Sequence, residues 1–501
     1  MASRHNLRMQ TQANDQYPAS RRHDVSTPAI RTITRNTAYI ISTRTINVLA
    51  RLIWVVAAAR ILGPDLYALL AYCLTWQLSF LPLALFGVGP ALSYLIGPDR
   101  NRTADYAGHV LTIRLITIIL AVTACIGLSH FVTPDPRAPT LIAILSLALA
   151  ARAFTSFTNT LFTAFEINQH TMRQETFFGL LDLAVALGIL LSGGDLLLLV
   201  TAKAVTAWIQ AGWALLVAHR KVIPIRFNWQ PARWRPLLQL ALPALLITLA
   251  TDWRFNGSLV LFRNLTTDGI LFGQYALAMQ ALTIVTILPL ALSRAAFPAL
   301  RRAVARSDGK EMLFASVMQR AAPIAGTAIG LLGWTLGEPV FRWLLGEPFS
   351  TAGVLVGQTL WCLIPLTAAA GYPEILIAHG RFRSMVILSV AGALLMTLLT
   401  FILVPVYGVT GAIIAAGLGF SVAPIGAVLL IWQEQLVDPV REIIRPFAAA
   451  AIGLGTYIAL ASFSTWAALT AGILALAVAT LALHVVDPEE MRALRAKLSF
   501  S

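Results

Sequence analysis

The sequence predicts an all-α polytopic membrane protein of about fourteen transmembrane helices, built as two six-helix lobes in parallel repeat plus two C-terminal helices. Three observations carry this reading. Of the 501 residues, 57% are hydrophobic and only 12% charged, roughly half the charge of an ordinary soluble domain. The hydrophobic residues come in blocks of about 18 to 28, enough for a helix to cross a bilayer core of roughly 30 Å. The cations between the blocks alternate in abundance from one loop to the next, and one stretch of the chain repeats another further on.

The expected spans are 37–60, 67–97, 108–131, 138–164, 175–193, 195–219, 236–262, 270–298, 320–345, 353–379, 384–405, 408–432, 443–463 and 465–486. None shows the period-2 alternation of an outer-membrane barrel strand. Taken in order, the loop after the first span holds Arg60, and the next holds Arg100 and Arg102. Arg137 follows alone, then the pair Arg220 and Lys221 with Arg233 and Arg235, then Arg263 alone. Arg301 and Arg302, the single Arg342, and the pair Arg381 and Arg383 continue the pattern. With the N-terminus in the cytoplasm, the inner loops and tails collect about 26 Lys and Arg, the outer loops about four, and the spans roughly seven. A missed or extra span would scramble this bias. Both termini are therefore expected in the cytoplasm, in the cytoplasmic (inner) membrane of a bacterium.

Residues 67–92, YALLAYCLTWQLSFLPLALFGVGPAL, resemble 275–300, YALAMQALTIVTILPLALSRAAFPAL, at an offset of 208. Tyr67 and Tyr275, Thr75 and Thr283, and Pro90 and Pro298 coincide. Six spans separate the copies, and an even number makes the repeats parallel. The chain divides into a basic cytoplasmic tail at 1–35, an N-terminal six-span lobe at 36–232, a C-terminal six-span lobe at 233–432, and two further spans with a cytoplasmic tail at 433–501. In repeat transporters the substrate site lies between the lobes.

The polar segments are too short for a separate soluble catalytic domain. The net charge of +14 reads as loop cations facing the cytoplasm and not as a nucleic-acid surface. Cys73, Cys125 and Cys362 all fall inside apolar blocks and predict buried thiols, with no metal site and no disulfide framework. No Gly-rich loop with a following Lys and Ser or Thr is present to hold ATP, and no cofactor is expected. Energy would come from a proton or sodium gradient, from the membrane potential, or from consumption of the product outside.

Ionisable groups inside the spans are costly, so they mark function or pairing. Arg44 and Arg51 stand seven residues apart on one face of the first span, Arg152 is near the middle of the fourth, and Arg254 is inside the seventh. Arg114, Lys203 and Arg294 are nearer span ends and are expected to snorkel or pair. The acids are fewer: Asp182, Asp252, and Glu166 and Glu374 towards cytoplasmic ends. A membrane cavity with surplus positive charge predicts an anionic visitor, and the planar fork of Arg suits phosphate oxygens. Arg44, Arg51, Arg152 and Arg254 are the candidate substrate-binding residues; Asp182 and Asp252 are the candidates for ion coupling or gating. Arg44 pairing with Asp252 as a lock between lobes is the competing role for both. Asp182 could equally be a satisfied structural carboxylate. Trp54, Trp76, Trp208, Trp253 and Tyr94 could stack on the rings of a ligand, but interface belts and packing account for most Trp in such chains.

Four segments in order resemble a known family. They are Ala59-Arg60-Ile61-Leu62-Gly63-Pro64 with Tyr67, Gly273-Gln274-Tyr275-Ala276-Leu277-Ala278 with Phe297-Pro298, Leu345-Gly346-Glu347-Pro348-Phe349, and Val404-Pro405-Val406-Tyr407-Gly408-Val409-Thr410-Gly411-Ala412. Over about residues 35–435 the chain resembles the polysaccharide (O-antigen, lipid-linked oligosaccharide) flippases of the multidrug/oligosaccharidyl-lipid/polysaccharide exporter superfamily. The resemblance implies a non-enzymatic protein that flips a polyprenyl-pyrophosphate-linked oligosaccharide to the outer leaflet for lipopolysaccharide or exopolysaccharide assembly. It would work by alternating access, with membrane lipid and a polysaccharide polymerase or other assembly proteins as partners. The rivals are a peptidoglycan lipid-precursor flippase, a multidrug or cation antiporter of the same superfamily, and, from another class, a membrane-embedded glycan ligase or polymerase.

Overall fold

The computed structural model describes residues 27–89, 92, 103–165, 167–287, 310–434 and 437–485, with backbone alone at 27–45, 103, 310 and 311. Among the described residues the chain is helical throughout, without strands. Among the described residues eleven helices are long and apolar enough to cross a membrane, where the sequence predicts about fourteen spans. Two of the eleven are each a pair of helices meeting at a kinked glycine. In α1 (Thr27–Ser79) the break is Gly63, with φ 73° and Pro64 beside it. Left-handed backbone costs an L-residue with a Cβ and suits glycine, and proline removes a helix donor, so LGP ends one helix and starts the next.

After α1 come α2 (Leu81–Leu85), α3 (Thr103–Val132), α4 (Ala138–Ala164), α5 (Asn168–Leu191) and α6 (Leu196–Lys221). A linker then leads to α7 (Arg235–Asp252), a π turn at Trp253–Gly257, α8 (Ser258–Leu265) and the shorter α9 (Gly269–Val285). The remainder is α10 (Lys310–Leu345), α11 (Ser350–Thr359), α12 (Leu363–Ala368), α13 (Tyr372–Ala378), α14 (Phe382–Trp432), α15 (Arg445–Ala461) and α16 (Thr465–Ala482). In α14 the second kink is Gly408, at φ 57°.

Within the first half, α1 packs on α5, α4 on α6 and on α3, and α5 on α6. Within the second, α7 and α8 lie on α14, and α11 lies on α9 and α10. The main core joins the halves at one end. Tyr67 meets Phe349 edge-on at 6.2 Å, and Tyr72 meets Phe272 at 5.7 Å. Arg60 donates through Nη2 to the Trp343 carbonyl at 2.8 Å. Helices in lipid gain little from burying apolar surface and associate through close packing of small residues. Gly273 and Ala68 show this: a Cβ on Gly273 would stand 2.8 Å from the Ala68 Cβ and 3.0 Å from its Cα. Gly273→Val is expected to force the halves apart here and cost about 1–3 kcal/mol, read as a lowered unfolding midpoint of the purified protein; an unchanged midpoint would contradict the packing.

Arg137 sits outside the spans at this same end. It bridges Asp135 at 2.9 Å and Asp65 at 3.5 Å, and its guanidinium holds the Asp135 carboxyl below the usual carboxylate range.

The last two helices lie against α10 and are tied to it by a buried polar cluster. Arg320 donates through Nη1 to the Val485 carbonyl at 2.8 Å, and its Nε is 3.7 Å from Glu442 Oε1. Ser316 donates to the same carboxylate oxygen at 2.6 Å. The three cysteines are buried and free, and no cluster of metal-ligating side chains occurs among the described residues.

Candidate functional site

A cavity of about 1050 Å³ lies between the halves. It runs from Tyr67, Leu259 and Ala276, beside the closed aromatic end, to Gly89, Thr163 and Glu175. Its charged side chains among the described residues are Arg51, Arg114, Arg152 and Lys203 against Glu175 and Asp182. Four cations less two anions leave a surplus of two positive charges. All six belong to α1, α3, α4, α5 and α6; the facing wall from α7 to α9 offers Thr248, Phe255, Asn256, Met279, Gln280 and Thr283, none of them charged.

Arg51 from α1 and Arg152 from α4 both expose their side chains to this cavity. Neither has an ion pair or side-chain hydrogen bond to another described residue; Arg51 lies within the field of Arg152, and Arg152 within that of Asp182. Holding two guanidinium groups without a bonded counter-ion at membrane depth costs several kcal/mol. An anion with several oxygens placed between them would offset that cost.

The other charges are engaged. Lys203 donates through Nζ to Asp182 Oδ2 at 2.6 Å and lies 4.2 Å above the Trp54 ring centre. Thr206 donates to the second carboxylate oxygen at 3.2 Å. Asp182, the candidate coupling residue, is therefore ion-paired in the cavity wall. Arg114 donates to the Ala153 carbonyl at 2.8 Å and the Leu85 carbonyl at 3.3 Å, tying α2, α3 and α4 together. Asn159 donates to Glu175 at 3.0 Å and accepts from Gln174.

Arg254, expected to line the cavity, does not. It is buried among helices, donating to the Gly419 carbonyl of α14 at 3.3 Å and to Thr251 Oγ1 at 3.2 Å, with Phe420 beside it. The π turn accounts for this: its wider hydrogen bonding rotates the following side chains, so Phe255 and Asn256 reach the cavity instead. The glycines of α14 make the room, since a Cβ on Gly392 would come within 3.4 Å of Arg254 Nη1. Asp252 is half-buried and is not part of the cavity wall. Arg44 lies on the α1 backbone, but its side chain, and so its pairing with Asp252, falls outside the described residues. Glu166, Arg294 and Tyr94 fall outside them too. Of the described Trp residues singled out, Trp54 alone lines the cavity; Trp76 donates to the Cys125 carbonyl, Trp253 to Thr397, and Trp208 packs on Phe154.

One feature went unread in the sequence. Along α4, Arg152, Thr155, Ser156, Asn159, Thr160 and Thr163 all line the cavity. Their spacing of three and four residues in an otherwise apolar helix is the signal of a polar face turned inward.

A sequence profile describing polysaccharide biosynthesis proteins matches residues 33–304, more than half of the chain. The chain belongs to the polysaccharide biosynthesis protein family. This family member is similar in structure to the lipid II flippase MurJ in an inward closed conformation, with a TM-score of 0.67 and 11% identity over 89% of this chain and 98% of that one. It is also similar to an inward-facing multidrug resistance MATE family transporter of the MOP superfamily (TM-score 0.63, 16% identity, 79% of this chain and 96% of that one). A third is a MOP superfamily transporter from Pyrococcus furiosus described by the reverse polarity of its binding pocket (TM-score 0.59, 16% identity, 80% and 95%). At such identities the likeness shows the fold alone. Comparison of the sequence with curated proteins finds no match.

Proposed function

We infer that this polysaccharide biosynthesis protein flips a polyprenyl-pyrophosphate-linked oligosaccharide from the cytoplasmic to the outer leaflet of the cytoplasmic membrane. The observation that carries the reading is the pair Arg51 and Arg152, exposed to a large inter-half cavity with no anion among the described residues bonded to either. A pyrophosphate fits that demand, because each guanidinium can take two of its oxygens at once. The two six-span halves act as the rigid lobes, and the aromatic and Arg60 contacts close the outer end while the cavity faces inward. Rotation of the lobes would open that end. The polyprenyl chain stays in lipid throughout, and both termini lie in the cytoplasm.

The test is reconstitution into vesicles holding a fluorescent polyprenyl-diphospho-oligosaccharide in one leaflet, with arrival in the other leaflet read by lectin or glycosidase access. Protein-dependent arrival is expected. Export of an organic cation with no movement of the glycolipid would overturn the reading. The likeness to a lipid II flippase supports a peptidoglycan precursor as the second reading, and a glycopeptide-bearing diphosphate lipid in the same assay separates the two. A cation exporter is disfavoured by the surplus of positive charge, and the one acid at the heart of the cavity is already held by Lys203.

The Asp182–Lys203 pair is the proposed point of coupling to a proton or sodium gradient, with Arg152 the further charge close by. Asp182→Asn is expected to abolish the acceleration that an imposed gradient gives, while slow equilibration of the glycolipid continues. Full acceleration in that variant would place coupling elsewhere.

A further inference from the structure

We propose that the segment joining α6 to α7 is a strap at the membrane surface that binds anionic phospholipid. Arg226, Arg233 and Arg235 take the headgroup phosphates, and Phe227 and Trp229 sit among the tops of the acyl chains. The inference holds whichever anion the cavity takes.

The level of the strap follows from the elements around it. α6 ends at Lys221 and α7 begins at Arg235, and each borders an apolar stretch long enough to cross a membrane. Between them the chain runs without helix from 222 to 230 and then makes one tight turn at Pro231–Arg233. It is laid against α3. Thr112 Oγ1 accepts from the Asn228 amide at 3.2 Å, and His109 Nδ1 stands 3.2 Å from the Asn228 carbonyl oxygen. A Cβ on Gly108 would come within 2.7 Å of the Arg226 carbonyl oxygen, so glycine lets the strap lie this close. Ile223 is buried in the apolar cluster that holds Val110 and Leu111, and Ile225 packs against it. The 30 residues of α3 measure about 45 Å, which leaves roughly 7 Å beyond a 30 Å core at each end. Gly108 is five residues, about 8 Å, from the start of α3. The strap therefore crosses α3 where the span passes from headgroups into hydrocarbon.

The outward side of the strap is basic and aromatic. From Arg220 to Arg235 there are five cations and no acid. Arg226, Arg233 and Arg235 are exposed, and none forms an ion pair with a described residue. Asp105, in the first turn of α3, bridges none of them. Phe227 is 65% exposed and Trp229 66%. Trp229 is held edge-on against Trp234, with ring centres 5.2 Å apart. A loop that meets only water gains nothing by displaying such rings. At the headgroup level they enter the interface, as aromatic belts do, while the guanidinium groups reach phosphate oxygens. A choline headgroup brings its own cation to its phosphate, whereas an anionic lipid leaves the charge for the protein to meet. The strap thus selects anionic lipid.

The experiment gives the full-length protein, in detergent micelles, equal amounts of phosphatidylglycerol and phosphatidylcholine and counts retained lipid by native mass spectrometry. The unaltered protein is expected to prefer phosphatidylglycerol by about tenfold or more, less so at high salt. Arg226→Gln with Arg233→Gln should remove most of that preference, since each cation near anionic headgroups is worth about fivefold. Arg173→Gln with Arg383→Gln, which removes two exposed cations from other segments, should keep it within about twofold. No preference in the unaltered protein overturns the proposal, and so does an equal loss in both double variants. Release of the phosphatidylglycerol by inorganic phosphate at constant ionic strength would assign the strap to a soluble anion and overturn it too. In vesicles of the same lipids, Trp229→Phe should remove fluorescence that lipids brominated near the headgroup quench. If it removes only fluorescence quenched by aqueous iodide, the strap faces water or another protein, and the proposal falls. The unaltered protein alone decides the central point, so poor folding of a variant leaves the test standing.

Discussion

Arg152→Gln is expected to cut glycolipid translocation by about ten- to a hundredfold at equal expression. That range is the worth of one to two charge-assisted hydrogen bonds to a phosphate, roughly 1.5–3 kcal/mol. The substitution keeps length and polarity but removes the charge and the fork. Arg152 is exposed to the cavity and bonded to no other described side chain, so the folded protein loses little when it goes. Removing an intramembrane cation that has no bonded counter-ion should even raise the unfolding midpoint slightly. Activity and stability then move in opposite directions, which no general folding defect produces. Arg152→Lys should recover part of the rate, as a point charge without bidentate geometry. The double variant with Arg51→Gln should sit at the background rate, because neither guanidinium of the pair is left to hold the diphosphate. Wild-type rates for Arg152→Gln in the vesicle assay would refute the assignment.

Arg320→Met is expected to have the largest effect on stability, about 3–5 kcal/mol, the usual result of stripping one partner from a buried charged pair. Glu442 would remain buried beside Ser316 and Tyr372 but without the Arg320 charge, and the Val485 carbonyl would lose its donor. The damage should fall on the last two helices, since this cluster fastens both the start of α15 and the segment after α16 to α10. A lowered unfolding midpoint with early protease cleavage near residues 434–440 is the expected signature. Arg320→Met combined with Glu442→Met should regain part of the loss, because two apolar side chains replace the pair without stranding a charge. A double variant no better than the single would mean that packing around Arg320, and not its charge, matters most.

The architecture was legible because hydropathy and loop charge report on long segments, where errors average out. The turns were legible one by one: Gly63, Gly346 and Gly408 each adopt the positive φ that their motifs demand. The Tyr-bearing repeat also had a visible role, since Tyr67 and Tyr275 both lie buried in the core that joins the halves. The site was legible in part. Arg51 and Arg152 reach the cavity because their helices face it, whereas Arg254 turns away. A helix supplies its residues in known angular order but not its rotation about its own axis, and the π turn at Trp253–Gly257 shifts that order midway. Partners were harder still. Lys203 and Asp182 are 21 residues apart on adjacent helices, and nothing local in the sequence says that they meet. The α4 stripe was open to reading, but hydroxyls and amides weigh little beside charges when a span is scanned for unusual residues.

Gly63 also bears on how the chain enters the bilayer during synthesis. Unbroken, the 53 residues of α1 would measure about 80 Å, nearly twice the thickness of a membrane with its headgroups. Broken at the glycine, they become two helices with no loop to separate the insertion of the legs. The first leg carries Arg44 and Arg51; the second, from Tyr67 to Leu85, carries no charge at all. On the scale of insertion energies, a buried Arg costs roughly 3 kcal/mol, and several Leu or Phe residues return a similar amount. The apolar leg therefore carries the charged one in with it. The same short break that shapes the mature protein lets Arg51 cross the lipid without standing alone in it.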